Sequence, residues 1–102
     1  MKRLLPLGTV LKLDLESAEK IMIISRLVRK EKEDDQMWDY CGCVVPQGIN
    51  NQSELKFFNH SDVRQLLFIG FQDEEELKYS TALSSYESEH AKDQLTSEKS
   101  EQ

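Results

Sequence analysis

Cys41 and Cys43 are the residues best equipped for chemistry, with His60 as the candidate base and Asp62 as its orienter. A cysteine nucleophile needs a base within hydrogen-bond reach and a cleft that desolvates the substrate. No spacing in the chain brings His60 to either thiol. A turn histidine whose ring satisfies local backbone groups is the simpler reading. Side chains two apart on a strand share a face, so the two sulfurs are neighbours. A bridge between them inside a strand would be strained. The expectation is two reduced structural thiols, which fits a reducing compartment. A zinc site would need two more ligands, and His60 and His90 do not form a ligand-spaced pair.

Asp73, Glu74, Glu75 and Glu76 are hard oxygen donors suited to a cation. Consecutive positions on a helix point in different directions, however, so they make a poor cage. A solvated helix start is the expected role. The four glycines, Gly8, Gly42, Gly48 and Gly70, are isolated, and no phosphate-binding loop or nucleophile elbow occurs. The chain is therefore expected not to be an enzyme, with no catalytic residue, no cofactor and no metal.

Charge and hydropathy narrow the partners. The 102 residues carry a formal charge of −6. Residues 1–71 hold ten acidic and ten basic side chains, so the whole excess lies in 72–102. A phosphate-binding surface needs clustered Lys and Arg, so nucleic acid is not expected as a partner. No apolar run is long enough to span a membrane. The start, Met1 to Gly8, has too short an apolar stretch for a signal peptide and no cleavage site. A cytoplasmic protein that binds another protein is expected.

The elements that would position these groups follow from periodicity. Thr9 to Leu15 alternates, with Leu11, Leu13 and Leu15 on one face, which predicts a half-buried strand. Glu16 to Glu19 is a hairpin connection. Ile21 to Val28 begins with four apolar residues in a row. Its β-branched isoleucines favour a strand buried on both faces over a short helix. The charge run Arg29 to Asp35 is a solvated hairpin tip. Met37 to Val45 predicts the next strand, with Gly42 marking a bend or a close backbone approach. Leu55 to Phe58, a brief turn capped by Asn59 or Ser61, and an apolar strand over Leu66 to Phe71 complete the β-rich part.

Asp73 is the expected N-cap of a helix over about 73–91, its first turn acidic as the helix dipole prefers. Leu77, Tyr79, Ala82, Leu83, Tyr86 and His90 recur at three- and four-residue steps and form its apolar stripe. Five interspersed hydroxyl residues lower its propensity, so it depends on something to pack against. Residues 92–102 read as a disordered polar tail. The fold class expected is α+β, mainly β. It would be a small antiparallel curled sheet or SH3-like barrel of about five strands with a C-terminal helix, one domain over 1–91. Most aromatics are expected in the core. Trp38 and Tyr40 on the sheet, and Leu77, Leu83 and Tyr86 on the helix, are the candidate partner contacts.

The order of short motifs is also informative. Leu5-Pro6-Leu7-Gly8-Thr9-Val10-Leu11, then Lys20-Ile21-Met22-Ile23-Ile24-Ser25-Arg26, are followed by Trp38-Asp39-Tyr40-Cys41-Gly42. Phe57-Phe58-Asn59-His60-Ser61-Asp62-Val63 and Phe68-Ile69-Gly70-Phe71-Gln72-Asp73-Glu74-Glu75 come next. Over residues 4–76 this resembles a small uncharacterised family of Gram-positive bacteria. Its members look like accessory proteins encoded beside LXG toxins of type VII secretion systems. Ser25 stands where the pattern has Gly, and Cys41 and Cys43 replace ordinary strand residues. The resemblance implies a non-catalytic chaperone or targeting adaptor for an LXG toxin. The alternative is an immunity protein that blocks a toxin domain. It carries over no functional residue.

Overall fold

Alternating apolar residues produce strands here, and turn chemistry decides where each one stops. In the computed structural model, which describes residues 3–51 and 54–101, with side chains through Glu89, β1 is Val10–Lys12. It is shorter than its alternating pattern. Asp14 ends it by folding back: its carboxylate accepts from the Glu16 N–H at 3.0 Å, and its carbonyl accepts from the Ser17 N–H at 3.2 Å. Leu11 is therefore core, while Leu15 is left exposed.

β2 (Lys20–Val28), β3 (Trp38–Val45), β4 (Lys56–Phe58) and β5 (Gln65–Phe68) follow. All neighbours are antiparallel, in the order β4-β3-β2-β1-β5. The fold is α+β, mainly β: an open five-stranded sheet followed by one C-terminal helix. The last strand returns to pair with the first, yet β4 and β5 remain the two edges, so the sheet does not close into a barrel. The C-terminal helix runs to Glu101, past the expected end near residue 91 and through residues 92–101 of the expected disordered polar tail, a stretch whose side chains are not described.

The core is Leu4, Leu11, Ile21, Ile23, Tyr40 and Phe58, with Leu5, Leu13, Leu27, Val63 and Leu83 packed on it. Gly42 belongs to this packing. A Cβ there would sit 2.6 Å from the Ile21 side chain and 2.7 Å from the Met22 carbonyl. Close approach, rather than a bend, is what its position demands.

One irregularity in β2 sets up everything on the helix side. The β2–β3 register pairs Ile23 with Gly42 and then Arg26 with Tyr40, slipping between Ile23 and Ser25. The extra residue reverses the alternation. Arg26 thus lands on the face of Ile21 and Ile23, where simple period two would place Ser25. Leu27 follows with φ of 48°.

The helix, α1 (Glu74–Glu101), begins where expected. The Asp73 carboxylate accepts from the Glu76 N–H at 2.8 Å, as an N-cap should. Its buried face differs from the expected stripe. Among its described side chains, Ser80 and Ser84 are the buried positions, with Leu83 beside them, whereas Leu77, Tyr79 and Tyr86 are exposed. Small hydroxyl residues let the helix approach the sheet closely, and Ser80 reaches the Arg26 head group.

Candidate protein-binding surface

The helix meets the sheet through charge. The Arg26 guanidinium, its side chain 4% exposed, donates to Glu76 Oε1 and, at 2.8 Å, to Ser80 Oγ. The Ser80 hydroxyl in turn donates to Glu76 Oε1 at 2.8 Å. Arg26 also lies under the Tyr79 ring, 5.4 Å from its centroid. A buried cation needs this full set of partners, because desolvation would otherwise outweigh the attraction.

A second polar group sits beside it. The fully buried Tyr40 hydroxyl accepts from the Leu5 N–H at 2.9 Å and contacts His60 Nδ1 at 2.6 Å. The His60 N–H donates to Asp39 Oδ2 at 2.8 Å, and the Asp39 N–H to Asn59 Oδ1 at 3.1 Å. Burial, opposed by the Leu5 N–H and reinforced by Asp39, pushes the Tyr40 phenol up to about 12. His60 opens a 3₁₀ turn, His60–Asp62, in which Asp62 accepts from the Asn59 N–H. Its ring reaches a side chain twenty positions away instead of local backbone, which corrects the sequence expectation.

The Cys–His pairing is not assembled. Tyr40 and Cys41 are consecutive in β3 and project to opposite faces. His60 sits against Tyr40, across the sheet from Cys41. Both thiols are buried and reduced, and burial, then the neighbouring Cys43, pushes the Cys41 thiol up. A raised thiol favours the protonated, unreactive form. Among the described residues no group of His, Cys, Asp and Glu is arranged to hold a metal ion, and no helix is long and apolar enough to cross a membrane.

The five candidate contacts fall in different places. Tyr40 is core and offers no surface, and Trp38 is half-buried. Leu83 and Tyr86 line a groove of about 460 Å³ between α1 and the β2–β3 hairpin, together with Leu27, Met37 and Tyr79. Arg26 reaches its wall, and Arg29 and Lys32 add further positive charge. Leu77 is exposed on the same helix, outside that groove. The groove needs the Arg26 bulge to exist, and nothing in the sequence announces that bulge.

The larger apolar exposure is elsewhere. Leu66, Leu67, Phe68, Ile69 and Phe71 are all exposed, Phe68 at 62% and Phe71 at 75%. This corrects the expectation that most aromatics are core. The segment is an edge, held by β1 on one side and by Gly70, whose N–H donates to the buried Thr9 hydroxyl at 3.0 Å. Any side chain at Gly70 would run into the Leu7 carbonyl.

A family described as "Domain of unknown function (DUF4176)" matches residues 4–79. The chain belongs to that family. The match spans the whole sheet and the first turns of α1, and contains the stretch on which the motif resemblance rests. No curated protein and no solved structure matches the chain.

Proposed function

We propose that this member of the DUF4176 family is a non-catalytic, cytoplasmic protein-binding factor, a chaperone or targeting adaptor for an LXG toxin of type VII secretion. The observation that carries the binding role is the groove between α1 and the β2–β3 hairpin. Two exposed tyrosines, Tyr79 and Tyr86, stand over apolar Leu27, Met37 and Leu83, with cationic side chains at the wall. Tyrosine and arginine are the residues that dominate binding energy at interfaces. A long helical rod, as an LXG region is expected to be, suits a groove of this kind if it presents apolar residues flanked by acidic ones. The LXG assignment itself rests on the motif resemblance.

A second reading is favoured by Glu74 and Glu75, exposed in the first turn of α1, within a C-terminal third that holds all the excess negative charge. An acidic surface of that sort would bind and block a basic toxin domain, as an immunity protein does.

Co-purification separates them. The chain is co-expressed with the LXG region and, separately, with the C-terminal toxin domain. Retention by the LXG region, abolished by Tyr79→Ala with Tyr86→Ala, is the expected result. Retention by the toxin domain alone, sensitive to Glu74→Lys with Glu75→Lys, supports immunity. Binding to neither overturns both readings.

A further inference from the structure

We infer that the β5 edge is the seam of a symmetric dimer, paired with a second copy of this chain. From Gln65 to Gln72 the sequence holds no charge and no proline, and its large side chains are exposed. The opposite edge differs: β4 is three residues long, begins with Lys56, and turns Phe58 into the core. Charged and short edges resist further pairing, whereas an uncharged apolar edge invites it.

The occupant follows from the flanking charges. Arg64 stands before the uncharged segment and Asp73 after it. Two copies related by a two-fold axis must run antiparallel at a shared edge. That arrangement sets the Arg64 end of each copy against the Asp73 end of the other, so opposite charges meet at both ends. Leu66 then faces Phe71 and Phe68 faces Ile69 of the second copy, and such aliphatic–aromatic cross-strand pairs stabilise a seam. A foreign strand would need its own matching charges, whereas a second copy already has them. The polar residues 92–102, with Leu95 their one large apolar side chain, do not match this segment. The seam shares no residue with the groove, so the dimer stands or falls apart from the proposed binding role.

Sedimentation equilibrium of the full chain provides the test. The expected result is a species of twice the 11.9 kDa chain mass at high micromolar concentration, dissociating on dilution. Leu66→Lys with Phe68→Lys puts four lysines into the uncharged seam of the dimer. It is expected to weaken association roughly 100-fold while circular dichroism stays unchanged, because both side chains are already exposed. Arg64→Glu sets a carboxylate against Asp73 of the second copy and should weaken association roughly tenfold, an effect that fades at high salt. Tyr79→Ala with Tyr86→Ala should leave the dimer intact. A monomer at every concentration, or a dimer indifferent to the paired lysines, overturns the inference.

Discussion

The helix–sheet junction and the β5 edge invert the usual distribution of polarity. At the junction an arginine, a glutamate and two serines are buried or nearly so. At the edge, two leucines, an isoleucine and two phenylalanines are exposed. Burial in so small a chain is decided by where a bulge and an edge fall, in addition to side-chain hydropathy. The polar groups inside are fully partnered and hold α1 in one place, and the apolar groups outside contribute little to folding. Substitutions in the two regions should therefore have opposite profiles: large losses of stability at the junction, small ones at the edge.

The largest effect is expected at Arg26. Arg26→Met leaves Glu76 Oε1 beside a buried apolar side chain and should cost about 3–5 kcal/mol in urea denaturation. Loss of less than about 1 kcal/mol would mean that the junction is solvated and the contrast false. Tyr40→Phe comes next. It removes the acceptor of the Leu5 N–H and the partner of His60 Nδ1, for an expected loss of about 1–3 kcal/mol.

The same phenol makes stability depend on alkaline pH. The folded protein holds this proton to about 12, whereas the unfolded chain releases it from the ordinary value of 10.0. The folded state binds more protons in that interval, so its stability is complete below 10 and falls as pH rises towards 12. The loss is of order 2–3 kcal/mol, and it should vanish in Tyr40→Phe. Denaturation series at several alkaline pH values measure it. Smallest of all is the edge: Phe71→Ser should change the stability of the dissociated chain by no more than about 0.5 kcal/mol. A cost above about 2 kcal/mol would show Phe71 to be core.

Much of the fold was legible beforehand. Alternation found β1, β3 and the pairing of short antiparallel strands, isoleucine runs found β2, and Asp73 before three glutamates marked the start of α1. The misses share a cause. Period two cannot see the residue inserted between Ile23 and Ser25, so Arg26 read as an ordinary strand residue and Tyr40 as a candidate contact. Apolar spacing on α1 picked out Leu83 and Tyr86 but could not show that a serine, Ser80, would face a buried guanidinium. Leu66 to Phe71 reads the same whether central or at an edge, because position in the sheet is a property of pairing partners far away in sequence.

Hydrogen exchange of the chain with the bound LXG region reads occupancy of the groove. Amides over 26–37 and 76–86 are expected to gain protection, with 56–58 and 65–72 unchanged. Protection confined to residues outside the groove would contradict it.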